Sequence, residues 1–427
     1  MTRQTPESNG HSQIELILRD ALLGDGRRVD ISIANGTIVA LDPPGQATAG
    51  SALEHRLDGD LVVAGFGEPH AHLDKALTAD RIPNPDGDLM GAVMAWNRAM
   101  SEGWFDYDNI VERSSEALER LLARGVTAVR THVNVNSRLG PTGVRALRSV
   151  ARTYTDQVDL EVVALVSHPL TGPEGAPNRA ALDEAMEAGA DLVGGAPQFD
   201  DDPDAHLDHT LAVAVTAGCG MDLHIDESLN PQARSLKYLA RRVQETGFEH
   251  TVTASHCVSL SVQSELERAA TSREVAAAGI AVVTLPQTNL FLQARDHVGT
   301  KPRGLTSVTE LQDAGVVIGA GADNVEDPFN LLGRSDPLET AALMVLAGHQ
   351  SPLTALAMIS ANVRQIMGLR PVSFVVGDPA DLVVLQAGSV REAIARAPGN
   401  RSVYRRGRLT AECSMKASVR GNELRGL

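Results

Sequence analysis

The strongest constraint on the fold is a regular alternation of two kinds of segment through residues 61–370. Short apolar runs of strand length are separated by longer, alanine-rich segments, such as SSEALERLLARG and RAALDEAMEAGA, which have the composition of helices. Eight strands separated by helices favour a parallel (β/α)8 barrel of the α/β class over repeated sandwiches. The predicted strands are LVVAGF, TAVRTHV, LEVVALVS, DLVGGAP, CGMDLHID, TVTASHC, AVVTLP and VVIGAG.

The two ends of the chain have a different character. The first part contains the runs IELILRDALL and VDISIANGTIVAL, which are broken by turn signals such as Asn35-Gly36. ADLVVLQ and VYRRGRLTA near the other end are similar. We therefore expect residues 13–60 and 371–427 to pair into a small β-sandwich domain. Residues 1–12 are polar and are expected to form a disordered tail.

Charge and cysteine content exclude several classes of protein. The net charge is −16 over 427 residues, and basic runs are absent from the sequence. Because nucleic acids and anionic membranes attract Lys/Arg patches, we expect neither as a partner. The three cysteines form no CxxC motif, the first residues lack the apolar core of a signal peptide, and no apolar run approaches the ~20 residues of a membrane span. A cytoplasmic protein is expected.

Residues that can bind a metal stand at the ends of several predicted strands. Catalytic residues of (β/α)8 barrels lie at the C-terminal ends of the strands. His70 and His72 follow the first strand, and residues i and i+2 of a strand point to the same side, so both imidazoles can face one ion. The other strand ends contribute His132, His224 with Glu227, Ser255-His256, and Asp323.

This donor set predicts a site for a divalent cation. With His224 and Asp323, the first two histidines make a nitrogen-and-oxygen set that suits Zn²⁺, Fe²⁺ or Mn²⁺ without distinguishing them. Such an ion lowers the pKa of a coordinated water and makes it a nucleophile. Asp323 can take a proton from that water, Glu227 can deliver protons to substrate and leaving group, and His256 can hold the nucleophile by a hydrogen bond.

A structural interpretation competes with each of these roles. A single histidine at a strand end is more often a hydrogen-bonded core residue than a ligand, and an isolated HxH motif occurs by chance. Several such residues at the ends of different strands favour the metal site. For His132 the two interpretations are even, because it could pack beside the metal without binding it. We expect His168, His206, His209 and His250 on the surface or in loops.

Six motifs occur in a fixed order over nearly the whole chain. They are EPHAHLDK, VRTHVNV, HIDE, TASH, NLFLQAR and GADNVEDPF. On these motifs the chain resembles the amidohydrolase superfamily and, within it, the cytosine deaminase branch. The resemblance implies a (β/α)8 barrel, a small β-sandwich built from both termini, and one divalent metal ion, usually zinc or iron. It implies Glu227 as proton shuttle and His256 as the residue that polarises the hydroxide. The metal ligands that it implies are His70, His72, His224 and Asp323.

The resemblance also bears on the number of metal ions. Binuclear members of the superfamily use a carboxylated lysine at the end of strand four, where this chain has Gly194-Gly195-Ala196-Pro197. This difference supports one ion per chain. The HxE and PCxxC signature of the other zinc deaminases is absent from the sequence, which excludes the cytidine deaminase fold.

Departures from the cytosine deaminase pattern concern the substrate. Those enzymes carry a glutamine after strand three, a second aspartate after the metal aspartate, a tryptophan near the base and a threonine after HxHLD. The form HxHLDK is more similar to N-isopropylammelide amidohydrolase, which acts on an s-triazine ring. The residues that stand at these places, and that we predict to bind substrate, are Ser167, His168, Asn324, Phe329 and Lys75.

Lys75 has two interpretations. It could form an ion pair with Asp74 or Glu68, or it could donate a hydrogen bond to substrate. We favour the substrate role because the chain has few lysines and because an ammonium is a compact donor for a ring oxygen. This role predicts a substrate with an oxo or anionic oxygen beside the amino-bearing carbon.

The function that these observations favour is hydrolytic removal of ammonia or an amine from a small nitrogen heterocycle, pyrimidine- or triazine-like. An alternative is the opening of a cyclic amide or imide by the same metal-dependent chemistry. A non-catalytic scaffold would be expected to have lost metal ligands, and none is missing from the motifs. We expect the enzyme to form a homo-oligomer.

Overall fold

The computed structural model describes residues 13–416. The predicted tail, residues 1–12, and the last part of the predicted β domain, residues 417–427, lie outside the described residues. Within residues 13–416 the chain forms two eight-stranded sheets and thirteen α-helices. In this described part, no helix has the length and apolar character that crossing a membrane requires.

The first sheet contains strands from both ends of the chain, as the sequence predicts. Their order is β16-β15-β14-β5-β1-β2-β3, and β4 pairs with β1. The sheet has its own apolar core, in which Leu18, Ile31, Ile33 and Tyr404 are buried. The strands are β1 (Leu16–Leu23), β2 (Arg28–Ala34), β3 (Thr37–Asp42), β4 (Leu53–Arg56), β5 (Leu61–Ala64), β14 (Leu382–Leu385), β15 (Arg401–Arg405) and β16 (Arg408–Cys413).

The second sheet is the predicted parallel barrel. Its strands are adjacent in sequence order, and every neighbouring pair is parallel. A parallel bridge between Ala71 and Asp323 joins the first strand to the segment after the last, which brings the two edges together. The strands are β6 (Phe66–Ala71), β7 (Val126–Val135), β8 (Asp159–Val166), β9 (Leu192–Gly195), β10 (Gly220–Ile225), β11 (Val252–His256), β12 (Ala281–Thr284) and β13 (Ile318–Ala320).

Helices connect the barrel strands, and their ends carry conventional caps. The Asp202 side chain accepts a hydrogen bond from the N–H of Ala205 at the start of α5, and Gly218 ends that helix with a φ of 64°. The helices are α1 (Leu89–Ser101), α2 (Tyr107–Ala123), α3 (Thr142–Thr153), α4 (Ala176–Glu187), α5 (Pro203–Ala217), α6 (Ser235–Thr246), α7 (Glu265–Ala277), α8 (Pro286–Leu292), α9 (Val308–Asp313), α10 (Pro337–Leu346), α11 (Pro352–Met358), α12 (Ala361–Ile366) and α13 (Val390–Arg396).

The first barrel strand differs from its prediction. The apolar run LVVA forms β5, which pairs with β14 and β1 in the first sheet. The barrel strand is the next segment, FGEPHA, which is buried along its whole length despite its polar residues. Gly65 separates the two, and a Cβ there would lie 2.3 Å from Oγ1 of Thr127, so the chain can pass between the sheets only at a glycine. The domain boundaries 13–60, 61–370 and 371–427 stay a prediction, although Leu61–Ala64 pairs with the first sheet.

Candidate metal-dependent active site

A cavity of about 470 Å³ opens at the C-terminal ends of the barrel strands. Its lining includes residues from β10, β11 and the segment after β13, together with the loops that follow β6, β7 and β8. The side chains predicted for catalysis and substrate binding all line it, namely Lys75, Ser167, His168, Glu227, His256, Asp323, Asn324 and Phe329. The barrel topology therefore brings residues that are distant in sequence into one site, as expected for this fold.

Four predicted metal ligands converge at the inner end of this cavity. Nε2 of His224 lies 3.1 Å from Nε2 of His70 and 3.2 Å from Nε2 of His72. Oδ1 of Asp323 lies 3.2 Å from Nε2 of His72 and 3.8 Å from Nε2 of His70. Ligand atoms about 2.0–2.2 Å from one ion in a tetrahedral set lie roughly 3.3–3.6 Å from one another. The observed separations therefore fit a single bound ion.

The chemistry of the four groups also fits a cation. Burial, together with the crowding of neighbouring histidines and, for His72 and His224, the Lys75 ammonium, lowers the pKa of His70, His72 and His224 well below the ordinary value, so the rings are neutral and offer lone pairs. Both carboxylate oxygens of Asp323 are buried and have no hydrogen-bond partner among residues 13–416. Burial raises the pKa of Asp323 well above its ordinary value, and a cation beside it would act in the opposite direction.

The ring of His70 is held by a chain of buried polar groups whose supporting role was not predicted from the sequence. Its Nδ1 lies 2.9 Å from Oγ of Ser255, and that hydroxyl donates a hydrogen bond to Asp222. Arg130 forms an ion pair with Asp222 at 2.8 Å. A partner on Nδ1 fixes the ring orientation and leaves Nε2 for an ion, which is the usual support for a histidine ligand.

His132 lies beneath the convergent histidines. Its ring is buried against that of His70, with the centroids 3.9 Å apart, and its Nε2 lies 3.4 Å from Oδ1 of Asp222. Potential ligand atoms of His70, His132 and His224 lie within 4.8 Å of one another. Burial favours a raised pKa for Asp222, but contacts with His132 and Arg130 outweigh it and hold the pKa below its ordinary value.

Glu227 and His256 face each other beside the donor set. Oε1 of Glu227 lies 3.5 Å from Nδ1 of His256, which also lies 3.0 Å from Oδ1 of Asn289. Burial raises the pKa of Glu227 to about 8 and lowers the pKa of His256 to about 4, so both groups are neutral near pH 7 and the contact is not an ion pair. Glu227 can therefore give up a proton at neutral pH.

Two of the site residues adopt backbone conformations that are unusual for their type. His256 has a φ of 68° and Asp323 a φ of 69°, both in the left-handed region. For residues other than glycine this region costs on the order of 1–3 kcal/mol, and such residues cluster at functional sites. This geometry brings the two side chains together in the lining of the cavity, with Nε2 of His256 3.9 Å from Oδ2 of Asp323.

Lys75 is buried, and its contacts distinguish between the two interpretations of its role. Its Nζ lies 3.2 Å from Nδ1 of His72, 5.2 Å from the ring centroid of Phe329 and 5.7 Å from that of Trp96. Among the described residues, no carboxylate lies within 4.0 Å of this ammonium, so the alternative ion pairs with Asp74 and Glu68 are not formed. Lys75 thus projects into the cavity between two aromatic rings.

Glu68 instead supports the backbone of the site. One of its carboxyl oxygens accepts a hydrogen bond from the N–H of His70, and the other accepts one from the N–H of Ala322. Burial raises its pKa to about 8. Glu68 therefore ties the first barrel strand to the segment that carries Asp323. Gly321 allows this arrangement, because a Cβ there would lie 2.3 Å from Oε1 of Glu68.

The remaining predicted substrate residues differ in their freedom to bind a ligand. The Asn324 side-chain amide donates a hydrogen bond to the buried Asp327, which also accepts one from the N–H of Phe329. Burial raises the pKa of Asp327 to about 6. His168 lies at the outer end of the cavity, where its ring stacks on Phe199 with the centroids 5.4 Å apart.

The prediction for His206 was wrong. This histidine is fully buried, and its Nδ1 lies 2.6 Å from Oδ2 of Asp200. Its Nε2 lies against the end of β9, where a Cβ on Gly195 would be 2.3 Å away. The pattern of α5 alone does not reveal this position, because the helix has apolar residues on several sides and the neighbour of His206 comes from another segment.

Comparison with known proteins places these observations in a family. A model described as "Amidohydrolase family" matches residues 114–411. A pterin deaminase from Rhizobium rhizogenes (strain K84 / ATCC BAA-868) is 35% identical over 387 residues, which are 90% of this chain and 87% of that protein. An N-isopropylammelide isopropyl amidohydrolase from Pseudomonas sp. (strain ADP) is 25% identical over 92% of this chain and 96% of that protein.

Solved structures agree over almost the whole chain. A 5-methylcytosine deaminase from Klebsiella pneumoniae, liganded with 5-fluorocytosine, superposes with a TM-score of 0.85 at 25% identity and covers 95% of this chain and 99% of its own. An N-isopropylammelide isopropylaminohydrolase from Burkholderia multivorans ATCC 17616 gives a TM-score of 0.82 at 27% identity, with 93% and 98% coverage.

Proposed function

The chain belongs to the amidohydrolase family, and from this premise we propose its substrate class, its metal ligands and the roles of its catalytic residues. It is a hydrolytic deaminase that acts on C–N bonds of a small nitrogen heterocycle. The observation that carries the proposal is the convergence of three histidine Nε2 atoms and Oδ1 of Asp323 beside Glu227 and His256. These relatives also favour deamination over the alternative of opening a cyclic amide.

The proposed metal ligands are the four groups that converge, and the proposed ion is Zn²⁺ or Fe²⁺, one per chain. When bound, such an ion supplies Lewis acidity that makes water a nucleophile near neutral pH. In this proposal His132 packs beneath the ligands and is not one of them, because its Nε2 faces Asp222. The ligands are His70, His72, His224 and Asp323.

The proposed proton transfers use the two buried carboxyl groups. Water adds to the ring carbon that carries the amine and gives one proton to Asp323, while the neutral Glu227 protonates a ring nitrogen. Glu227 then takes the second water proton from the new hydroxyl group and passes it to the departing amine, and the proton on Asp323 returns to Glu227 at the end of the cycle. The net reaction exchanges the amino group for an oxo group and releases ammonia. His256, neutral and held by Asn289, positions the attacking water by a hydrogen bond.

Lys75 is proposed to donate a hydrogen bond to an oxygen on the substrate ring. Once Nε2 of His72 holds an ion, Nδ1 of the neutral ring carries the hydrogen and cannot accept one from Lys75. The ammonium is then free to donate to a ring oxo group. This agrees with a substrate that has an oxo group on the ring that bears the amine.

We propose a pterin-type ring, a fused 2-amino-4-oxopteridine, as the substrate class. The support is the similarity to the pterin deaminase and a cavity that extends from the strand ends past Trp96 to His168 and Phe199. A bicyclic ring can use this depth, with Trp96 and Phe329 as aromatic walls and the oxo group near Lys75.

The test is a comparison of ammonia release from pterin, cytosine and N-isopropylammelide by the metal-loaded enzyme. We expect pterin to have the highest kcat/KM, with one equivalent of ammonia released and the ring intact by mass spectrometry. Higher kcat/KM on cytosine or on the triazine would contradict the pterin assignment. Turnover with no ammonia would contradict deamination itself.

A further inference from the structure

We propose that the outer end of the cavity is an anion subsite centred on Arg138, and that the substrate ring carries an anionic substituent there. The inference rests on the proposed function for the identity of the ring. The subsite itself follows from the charges, hydrogen bonds and backbone supports of the cavity, which Ser137, Arg138 and His168 all line.

The charges of the cavity are separated along its length. Its two carboxyl groups, those of Glu227 and Asp323, lie at the inner end, where Lys75 also lies. Apart from these and the histidines, Arg138 is the only charged side chain that residues 13–416 contribute to the lining. In a chain whose net charge is −16, the formal charge that the lining side chains contribute at the outer end of the cavity is thus positive. A positive mouth favours an anionic ligand over a neutral or cationic one.

The guanidinium of Arg138 is available to a ligand. Within residues 13–416, the hydrogen bond of this residue is made by its backbone N–H to Oδ1 of Asn136, and its side chain has neither a hydrogen bond nor an ion pair. By contrast, Arg148 on the following helix is paired with Asp191 at 2.8 Å. A guanidinium offers five donors in a planar fork that matches a carboxylate or a phosphate.

The backbone that carries Arg138 is fixed by two buried asparagines. Asn136 accepts hydrogen bonds from the N–H groups of Arg138 and Leu139. Asn178, on α4, accepts one from the N–H of Ser137 and donates to the carbonyl of Pro169 in the loop after β8. The loops that follow β7 and β8 are therefore tied together, which reduces the ordering cost of binding a ligand between them.

The polar groups at the outer end of the cavity suit a substituent of the substrate rather than its ring. Ser137 and Asn97 also line the cavity, to which the stacked rings of His168 and Phe199 contribute an aromatic surface. The ring would sit inward, between Trp96 and Phe329. A carboxylate is the shortest anionic substituent that offers two oxygens to the guanidinium fork, and a phosphate ester offers the same chemistry on a longer arm.

The experiment compares three pterins that differ at C6: unsubstituted pterin, its 6-carboxylate, and the phosphate ester of its 6-hydroxymethyl derivative. We expect the wild-type enzyme to have a higher kcat/KM on an anionic pterin than on the unsubstituted one. Arg138→Gln should lower kcat/KM on that anionic pterin by about 10- to 100-fold, as expected for a lost charged hydrogen bond, and leave unsubstituted pterin within about twofold. The preferred anion identifies the substituent.

Two control variants distinguish a specific effect of Arg138 from a general effect of removing an arginine. Arg145→Gln removes an exposed arginine of α3 that does not line the cavity, and it should leave all three substrates unchanged. Arg138→Lys should restore part of the preference. An equal loss on charged and neutral pterins in Arg138→Gln, or no wild-type preference for an anion, overturns the subsite.

If no pterin is turned over at all, the proposed function fails, and equilibrium binding followed by pterin fluorescence still decides the subsite. Tighter binding of an anionic pterin that disappears in Arg138→Gln supports it. Equal affinity of wild type and variant overturns it.

Discussion

Ala71 and Asp323 form a parallel bridge that joins the first barrel strand to the segment after the last. Ala71 stands between His70 and His72, so the bridge sets both histidines beside the carboxylate of Asp323. Barrel closure and assembly of the donor set therefore depend on the same contact. Glu68 reinforces it by accepting hydrogen bonds from both segments.

The metal ligands provide the first prediction. Wild-type protein should contain about one divalent ion per chain, as four convergent donors imply. His70→Ala and Asp323→Ala should each lose the ion and the activity, measured by elemental analysis and ammonia release. His209→Ala, which changes a histidine of α5 outside the cavity lining, is the control. A full metal load in either ligand variant would show that the assignment is wrong.

Glu227→Gln should keep its metal because Glu227 is not a proposed ligand. Loss of general acid–base catalysis typically costs ~10²–10⁴ in rate, and a residue that serves two proton transfers should lie at the high end. The measurement is kcat at saturating substrate, with the exposed Glu249→Gln as control. Near-normal turnover by Glu227→Gln would remove Glu227 from the mechanism.

Lys75→Met should reduce kcat/KM without removing metal. The lost charged hydrogen bond is worth ~1.5–3 kcal/mol, which corresponds to about 10- to 100-fold. Lys237→Met is a suitable control, because Lys237 pairs with Glu274 on the outside of the barrel. Wild-type kinetics in Lys75→Met, or loss of the folded state, would favour a structural role for this lysine.

The environment of Asp30, in the first sheet, leads us to expect that the free energy of unfolding depends on pH. Burial favours a raised pKa, but hydrogen bonds from the Asp20 N–H and the Arg19 guanidinium outweigh it and lower the pKa of Asp30 below 3.8. A carboxyl group with a lowered folded-state pKa stabilises the protein above its unfolded-state pKa, and this contribution is lost as the pH falls through the folded-state value.

Asp30→Asn should therefore lower the free energy of unfolding at pH 7 by about 1.5–3 kcal/mol. The difference from wild type should shrink as the pH falls below about 4, because the carboxyl group of the unfolded wild-type chain is protonated first and the stabilisation is lost as the pH falls on through the lowered folded-state pKa. Thermal unfolding of both proteins across this pH range is the measurement. A difference that stays constant down to pH 3 would contradict the assigned role of the carboxylate.

The sequence was sufficient to predict the barrel and which of its strand ends meet at the inner end of the cavity. Strands and helices alternate visibly along the chain, and parallel strands bring their C-terminal ends to one face, so His224 and Asp323 could be placed together without coordinates. The first barrel strand was misassigned because apolarity was used as the criterion. FGEPHA is polar in composition, and it is buried because Glu68 and His70 are satisfied by neighbours on other strands.

Supporting residues were harder to predict for a related reason. Ser255, Asp222 and Asn289 act through partners that are 33 or more residues away, and their own sequence context contains no signal for those partners. His206 illustrates the same limit. Its burial is determined by Asp200 and by the space that Gly195 leaves at the end of β9.

The hydrogen bonds of Asn178 limit how the substrate specificity of this enzyme can change. Its single side chain is hydrogen-bonded to both of the loops that present Arg138 and His168. An insertion in one loop would displace the Asn178 side chain or break its hydrogen bond to that loop. The other loop would then lose part of the support for its position. The two loops should therefore diversify together, and redesign of the enzyme for a new ring system should exchange them as a pair with α4, not one at a time.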